Sequence, residues 1–488
     1  MLAQDSTVAV VGSLVDDNTE AGVVAWVAVD LILDSTVVRN TVAGAELGEG
    51  LPKGGFGLEN IGASAIVQES LFEGNSTAGV WVGLDGASVD LLSTVVRDTE
   101  PDDNGEGLGM MVCAGGFVSA ESSLFAGNSA VGVAVYGQGT EAVLSGTVVR
   151  DSKANNLEFS GIGVEATDQA SLTASGCLFG GSAYMEVIAV GAGTQVHLGS
   201  TKLHDTAGAS QEIAIRAVQA TEGASFDIRD SLLEGFEMGG IGAYRQGTRV
   251  NVAASVVRDS MLPPGLANAT GVALEALGGA AVAISGCLFD ARTTAGVAAG
   301  EAGTAVVLRG TMIRGTKAEE EGRYGMGVAL TEGAAMTLFK TLLDKNATAG
   351  ALLLDPGSIM LFDTSAVTGT LIGGATVDGP GKGVFGDGIV AAAGGELEVA
   401  SVLVARNARN GIFFSHASGT VANSTIVGND FYGLAMEECA DQVEWEGKGN
   451  YVVGNASALP PDKAVQVTTS TGGMAVPPAP EMIEIQTE

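Results

Sequence analysis

Short segments in which apolar and polar residues alternate recur along the whole chain, separated by Gly, Asn and Asp. One segment has a fixed form: a Ser or Thr, two apolar residues, then a charged or small residue. It reads Ser-Thr-Val-Val-Arg-Asn-Thr at 35–41 and Ser-Thr-Val-Val-Arg-Asp-Thr at 93–99, with the variant Ser-Leu-Phe-Glu-Gly-Asn at 70–75. Copies recur about every 24 to 30 residues, a period typical of stacked structural repeats.

Three short strands can be read in each repeat. The first is Gly-apolar-x-apolar, as at 79–82, the second alternates with period two, as at 89–91, and the third is the Ser/Thr motif itself. No segment has helical periodicity of useful length. The pattern therefore predicts an all-β fold, a parallel β-helix of about 17 coils with three strands each. Right-handed winding is expected, because crossovers between parallel strands are right-handed.

The Ser-x-Phe-x-Gly-Asn turn followed by Gly-Ile/Val-x-Val resembles the right-handed parallel β-helix repeat proteins of the pectate-lyase-like superfamily. The resemblance covers about residues 6–456. It implies the β-helix fold. It does not imply one activity, since that superfamily holds polysaccharide lyases and hydrolases, phage tailspikes, autotransporter passengers and inert stalks.

The second apolar residue of each motif, here called the marker, is predicted to face the interior and to stack on the markers of the adjacent coils. Two positions earlier, small residues (mostly Ser and Thr, with Cys177 and Cys287) are predicted to form an inward polar column. The markers are Val15, Val38, Phe72, Val96, Phe125, Val149, Phe179, Leu203, Leu233, Val257, Phe289, Ile313, Leu343, Val367, Val404, Val427 and Val453.

The residue after the marker alternates in charge. We interpret this column as a register-setting charge ladder, because basic residues occupy every second coil with acidic or small residues between them. A row of arginines following an anionic polymer is the alternative, and the interleaved acids count against it. The column contains Arg39, Glu73, Arg97, Ala126, Arg150, Gly180, His204, Glu234, Arg258, Asp290, Arg314 and Asp344.

The residue before the marker is apolar in almost every coil. Strand alternation directs it away from the interior, which gives an apolar stripe that needs a cover or a partner, self-association included. A wide turn that tucks both residues inside is the alternative. The candidate interaction stripe is Leu71, Val95, Leu124, Val148 and Leu178.

The middle position of the first strand predicts a flat and nearly uncharged face. Trp81, which belongs to this face, and Trp26 are the best candidates for stacking on a sugar. The row is Trp81, Met111, Ala134, Gly163, Gly242, Ala273, Ala298 and Ala329.

The overall charge narrows the class of partner. The chain carries 57 acidic and 23 basic side chains, a net charge of −34, which excludes nucleic acid and acidic polysaccharide as partners. Neither a signal-like segment nor a membrane-length apolar run is present. We expect a secreted or cell-surface protein whose repeat domain spans 1–456, with the N-terminal cap missing, and a cap strand with a loose tail at 457–488.

No catalytic or cofactor-binding constellation stands out from the repeat. Calcium is the one ion that the acidic segments suggest, with Asp102, Asp103 and Glu106 as weak metal candidates, and Gly386-Asp387-Gly388 is a lone fragment of a calcium-binding repeat. The sequence favours a non-catalytic β-helix rod acting as scaffold, adhesin or polysaccharide-binding protein. The alternative is a polysaccharide lyase or glycoside hydrolase.

Overall fold

The computed structural model describes residues 6–44, 54–155, 160–204, 216–236, 239–259, 271–290, 295–318, 325–372 and 385–455, and the backbone of 465–468. Within these ranges every regular element is a strand, and no helix long and apolar enough to span a membrane is found among them. The chain divides into two compact units, one up to Leu233 and one from Glu234. The acidic run at 319–321 and nearly all of the predicted tail at 457–488 lie outside the described residues.

Each unit contains three parallel sheets, and every coil contributes one strand to each of them. Neighbouring strands of a sheet come from successive coils, with Val96 paired to Phe125 and Phe125 paired to Val149. The predicted all-β parallel β-helix with three strands per coil is therefore confirmed.

Sheet 1 holds the Gly-apolar-x-apolar strands. In the first unit these are Ala21–Trp26, Phe56–Ile61, Thr77–Gly83, Gly107–Cys113, Val131–Tyr136, Ile162–Thr167, Met185–Val190 and Arg216–Thr221. In the second unit they are Gly239–Tyr244, Val272–Leu277, Ala295–Ala299, Met326–Leu330, Ala349–Leu353, Asp387–Ala392, Ile412–Ser415, Leu434–Glu437 and Val465–Thr468.

Sheet 2 holds the alternating strands. In the first unit these are Ser6–Val11, Val29–Asp34, Ser64–Gln68, Ser88–Leu92, Phe117–Glu121, Glu141–Ser145, Ser171–Ser175, Gln195–Gly199 and Ser225–Arg229. In the second unit they are Arg249–Ala253, Ala281–Ser285, Ala305–Arg309, Ala335–Phe339, Ile359–Asp363, Glu396–Ala400, Ser418–Ala422 and Val443–Glu444.

Sheet 3 holds the Ser/Thr motif strands. In the first unit these are Leu14–Asp16, Val37–Arg39, Leu71–Glu73, Val95–Arg97, Leu124–Ala126, Val148–Arg150, Leu178–Gly180 and Lys202–His204, and Leu232–Glu234 contains the unit boundary. In the second unit they are Val256–Arg258, Leu288–Asp290, Met312–Arg314, Leu342–Asp344, Ala366–Thr368, Leu403–Ala405, Thr425–Val427 and Tyr451–Val453.

The markers form the interior column of sheet 3, and from Val38 to Val404 they are fully buried. The last two predicted markers are wrong by one residue. Ile426, not Val427, pairs with Val404, and Val452, not Val453, continues the column. The slip arose because Ser424 and Thr425 are both hydroxyl residues, and Ser424 is the one that is buried.

The small residues two positions before the markers point inward and hydrogen-bond along the stack. Ser123 Oγ accepts from the amide of Thr94 at 3.1 Å and donates to the carbonyl of Leu91 at 3.3 Å, one coil back. Cys177 and Cys287 occupy the same column as buried free thiols. These hydroxyls satisfy backbone groups that would otherwise be unpaired in the interior.

In most coils a glycine stands at the corner where sheet 1 begins, with Glu186, Ala217 and Ala273 as exceptions. At Gly79 the close approach of neighbouring atoms requires it. A Cβ on Gly79 would lie 2.3 Å from Cγ1 of Val96 and 2.8 Å from the carbonyl oxygen of Gly109. Before that corner, the asparagine of the Gly-Asn turn is buried and bridges coils: Asn128 Oδ1 accepts from the amide of Thr99 at 3.2 Å. The Gly-Asn…Gly spacing of the repeat follows from these two needs.

Candidate functional site

The outer face of sheet 1 in the first unit carries the most distinctive side chains of the described structure. Two neighbouring columns run along it, each with one residue per coil. The first column is Glu59, Trp81, Met111, Ala134 and Glu165, and the second, two residues later on each strand, is Ile61, Gly83, Cys113, Tyr136 and Thr167, preceded by Trp26.

Trp81 lies along its strand across the surface of the sheet. Three atoms of its six-membered ring, Cη2, Cζ2 and Cζ3, are 2.2–2.9 Å from the point where a Cβ on Gly83 would stand. The indole ring of Trp81 therefore packs flat over Gly83, and any side chain at position 83 would collide with it. The ring also packs on Phe56, with centroids 5.9 Å apart.

Aromatic rings consequently recur at every second coil of this face. Trp26 is 51% exposed in the first coil, the Trp81 ring covers Gly83 two coils later, and Tyr136 stands two coils beyond Gly83 in the same column. At about 4.8 Å per coil the spacing is roughly 10 Å. The face thus presents a row of rings along the coil stack, exposed at Trp26 and partly buried at Trp81 and Tyr136.

Carboxyl groups with raised pKa values lie beside this row. Burial raises the pKa of Glu59, with a further contribution from Glu20. Burial also raises the pKa of Glu106, helped by the charge of Asp102. The protonated forms of these carboxyl groups are favoured because desolvation penalises the charge.

Tyr136 and Glu165 form a direct pair on this face. The Tyr136 hydroxyl donates to Glu165 Oε2 at 2.8 Å. Burial raises the pKa of Glu165, partly offset by that hydrogen bond, and raises the pKa of Tyr136 well above its usual range. The neighbouring Cys113 thiol has a pKa raised to about 11 by burial, so it is not a thiolate nucleophile at neutral pH.

The predicted metal candidates lie in the loop that leads into this face. Asp102 Oδ1 accepts from the amides of Asn104 (2.8 Å) and Glu106 (3.0 Å), and Oδ2 accepts from the Thr77 hydroxyl (3.3 Å). This carboxylate therefore organises the loop. No group of three potential metal ligands comes together among the described residues, Asp103 and Glu106 included.

The face changes character along the coils. In the first unit Ile188 and Gln219, which continue the first column, are buried, and in the second unit the column from Glu275 to Ala435 is buried as well. Ala298, Ala329, Leu352 and Phe413 belong there to one apolar cluster. The half-exposed part of the face is therefore confined to the early coils.

Two members of the predicted row are wrong. Ala134 pairs with Glu165 rather than with Gly163, and Gly242 pairs with Glu275 rather than with Ala273. In both coils an extra glycine, Gly161 or Gly271, precedes the strand and mimics the corner position. The prediction of a nearly uncharged face is wrong for the same reason. The register error of two residues left Glu165 and Glu275 out of the predicted row.

The charge ladder lies on the outer face of sheet 3. Its arginines, Arg150 excepted, face an acid on the preceding coil. Four arginines are paired with an acid there. The pairs are Arg39 with Asp16 (2.7 Å), Arg97 with Glu73 (2.6 Å), Arg258 with Glu234 (2.6 Å) and Arg314 with Asp290 (2.8 Å). Exposed pairs of this kind add little to stability.

The apolar stripe also lies on the outer face of sheet 3. Its side chains point away from the interior and are half-buried, so the turn does not tuck them inside. They are Leu71, Val95, Leu124, Val148 and Leu178.

Asp387, singled out above for a calcium-like Gly-Asp-Gly fragment, is fully buried in an ion pair with Arg409. Arg409 Nε donates to Asp387 Oδ1 at 2.8 Å, and Asn410 Nδ2 donates to the same oxygen at 2.9 Å. The guanidinium also lies 5.5 Å from the ring centre of Phe413. This ion pair links two successive coils where their sheet 1 strands begin.

Comparison with known proteins assigns this chain to no family. The sequence matches no protein-family model and no curated protein. Among solved structures, one similar to this chain is the A-module of the mannuronan C-5 epimerase AlgE4 of Azotobacter vinelandii, at 12% identity and a TM-score of 0.24, covering 92% of this chain and 91% of that one. Another is the catalytic domain of a GH87 α-1,3-glucanase in complex with tetrasaccharides, at 12% identity and a TM-score of 0.22. This match covers 87% of this chain and 64% of the glucanase domain, less than two thirds of it. The fold assigned here rests on the strand pairings of the chain itself.

Proposed function

We propose that this protein is a non-catalytic β-helix protein of the cell exterior that binds an uncharged polysaccharide along the outer face of sheet 1 in its first unit. The observation that carries the proposal is the recurrence of aromatic rings at every second coil, from the exposed Trp26 to the partly buried Trp81 and Tyr136. Sugar rings present apolar C–H faces that stack on such side chains. A polymer is favoured over a single sugar because the rings are spaced along the stack.

The polar groups of the face suit an uncharged ligand. Glu59 and Glu165 stand between the aromatic side chains, where they would accept hydrogen bonds from sugar hydroxyls. Among the described residues of the two columns none is basic. An acidic polysaccharide would meet no basic partner in these columns and would be repelled by the chain's net charge of −34.

The test is affinity electrophoresis in gels that contain neutral polysaccharides such as xylan, mannan or β-glucan, with an acidic one for comparison. We expect retardation by a neutral polymer, and Trp81→Ala or Trp26→Ala should weaken it about tenfold each, equivalent to about 1.4 kcal/mol. Trp445→Ala, which alters the third tryptophan far along the sequence, is the matched control. Trp81→Phe should retain most of the binding, and circular dichroism checks the fold of every variant.

Two results would contradict the proposal: no retardation by any neutral polymer, or retardation that Trp26→Ala and Trp81→Ala leave unchanged. Affinity shifts of the same size in Trp445→Ala would also contradict it, because the effect would then not be local to this face.

A second function, cleavage of the same polysaccharide by a hydrolase or lyase, is favoured by the Tyr136–Glu165 pair. A carboxyl with a raised pKa next to a tyrosine is suited to proton transfer. Release of reducing ends from a retained polymer, abolished in Glu165→Gln while retardation persists, would establish this function. Absence of release from every retained polymer would leave the binding protein as the better description.

A further inference from the structure

Arg150 differs from the other ladder arginines of the first unit. Arg39 and Arg97 each face an acid on the preceding coil, whereas Arg150 pairs in register with Ala126. The next coil places Gly180 at this position. The carboxylate nearest to Arg150 among the described residues belongs to its own neighbour Asp151, with Nε 3.6 Å from Oδ2.

A recess of about 310 Å³ lies beside Ala126, at the position where other coils place an acid opposite the arginine. Its walls include the basic groups of Arg97, Arg150 and Lys153, against the carboxylates of Asp98 and Asp151. Lys153 Nζ binds Asp98 Oδ1 at 3.0 Å, and Glu73 neutralises Arg97. Of these three basic groups, Arg150 is thus the one without a strong partner.

The floor of the recess is apolar. Leu124 lines it directly, and Val148, the stripe residue of the Arg150 coil, is paired with Leu124 on the same outer face. Both side chains are half-buried. A ligand that places an anionic group against Arg150 would therefore rest its remaining atoms on this part of the stripe.

We propose that this recess binds the carboxylate of a small organic acid with an apolar body, in the position that Glu73 holds in the Glu73–Arg97 pair. A guanidinium binds a carboxylate through two parallel hydrogen bonds, and the apolar body covers Leu124 and Val148. The site lies on sheet 3 and is independent of polysaccharide binding on sheet 1.

The probe is benzoate, observed by saturation-transfer NMR on the full chain, with benzyl alcohol as the uncharged control of similar shape. We expect saturable benzoate binding in the millimolar range, weakened by salt because the groups are exposed. Benzyl alcohol should show at least about tenfold weaker binding, since it lacks the charge.

Three variants locate the site. Ala126→Glu supplies the missing acid to Arg150 and should reduce benzoate binding at least about tenfold, and Arg150→Gln should do the same by removing the charge. Glu73→Ala leaves Arg97 without its acid and should add a second benzoate site. Thermal unfolding verifies that each variant is folded.

The proposal is overturned if benzoate shows no saturable binding up to tens of millimolar. It is equally overturned if the binding survives both Ala126→Glu and Arg150→Gln, since the anion would then sit elsewhere.

Discussion

The hydroxyl of Tyr136 donates a hydrogen bond to Glu165 Oε2 at 2.8 Å, from one coil of sheet 1 to the next. The second unit repeats the relationship, with the Tyr244 hydroxyl 2.6 Å from Glu275 Oε2. In both pairs the residue opposite the glutamate is small, Ala134 or Gly242. The small residue leaves room for the tyrosine ring to reach back to the glutamate.

The contribution of Glu165 to the stability of the first unit should fall as pH rises above 4.5, the ordinary pKa of a glutamate. Burial raises the pKa of Glu165 in the folded state, so between 4.5 and that higher value the folded chain binds more protons than the unfolded chain. Ionisation therefore costs stability in this window, and the cost persists at higher pH. Glu165→Gln, which still accepts the Tyr136 hydrogen bond, should remove this part of the pH dependence.

The measurement is urea unfolding of both proteins at a series of pH values. The advantage of Glu165→Gln should be absent well below pH 4.5, grow through the window and then level off. Glu141→Gln, an exposed glutamate on sheet 2, is the control and should follow the native curve. A constant offset between Glu165→Gln and the native chain at all pH values would contradict the assigned direction.

Gly79→Ala should destabilise the first unit by about 1–3 kcal/mol, the usual cost of forcing an extra carbon into a packed interior. The added Cβ would meet Val96 Cγ1 at 2.3 Å and the Gly109 carbonyl oxygen at 2.8 Å, and the backbone oxygen cannot move without disturbing the next coil. Urea unfolding by circular dichroism measures the change.

The matched control for that substitution is Gly199→Ala. A Cβ on Gly199 would have no atom within 4 Å, so the variant should be neutral or slightly more stable through the reduced freedom of its unfolded chain. Equal destabilisation by the two substitutions would show that glycine is needed for a reason other than the close contact at the corner.

The interior of the coils was predictable because a repeat fixes it many times over. A single marker such as Phe125 is weak evidence, but its alignment with Val96 and Val149 leaves one register that buries all three. The two marker errors near the C-terminus occurred where this redundancy weakens, since Ser424 and Thr425 fit the same position equally well.

The outer face of sheet 1 was less predictable, because its side chains differ from coil to coil. Glu165 is assigned to this face only if Gly163, and not Gly161, is taken as the corner residue of its coil. Only a coil-by-coil comparison of the residue two positions after the corner could have shown that Glu165 aligns with Trp81 and Met111. The Tyr136–Glu165 hydrogen bond further depends on the direction of a side chain between coils, which alternation alone does not specify.

Asp387→Asn should damage the second unit far more than the same substitution at an exposed aspartate. The change removes the negative charge from the buried pair with Arg409, and breaking a buried ion pair costs about 3–5 kcal/mol. The matched control is Asp290→Asn, which removes the acid from the exposed Arg314 pair in the same unit. Because water and salt screen that pair, its loss should be within the error of a urea-unfolding measurement. Similar shifts of the unfolding midpoint for the two variants would mean that Asp387 does not compensate Arg409 in the way its 2.8 Å contact with Nε indicates.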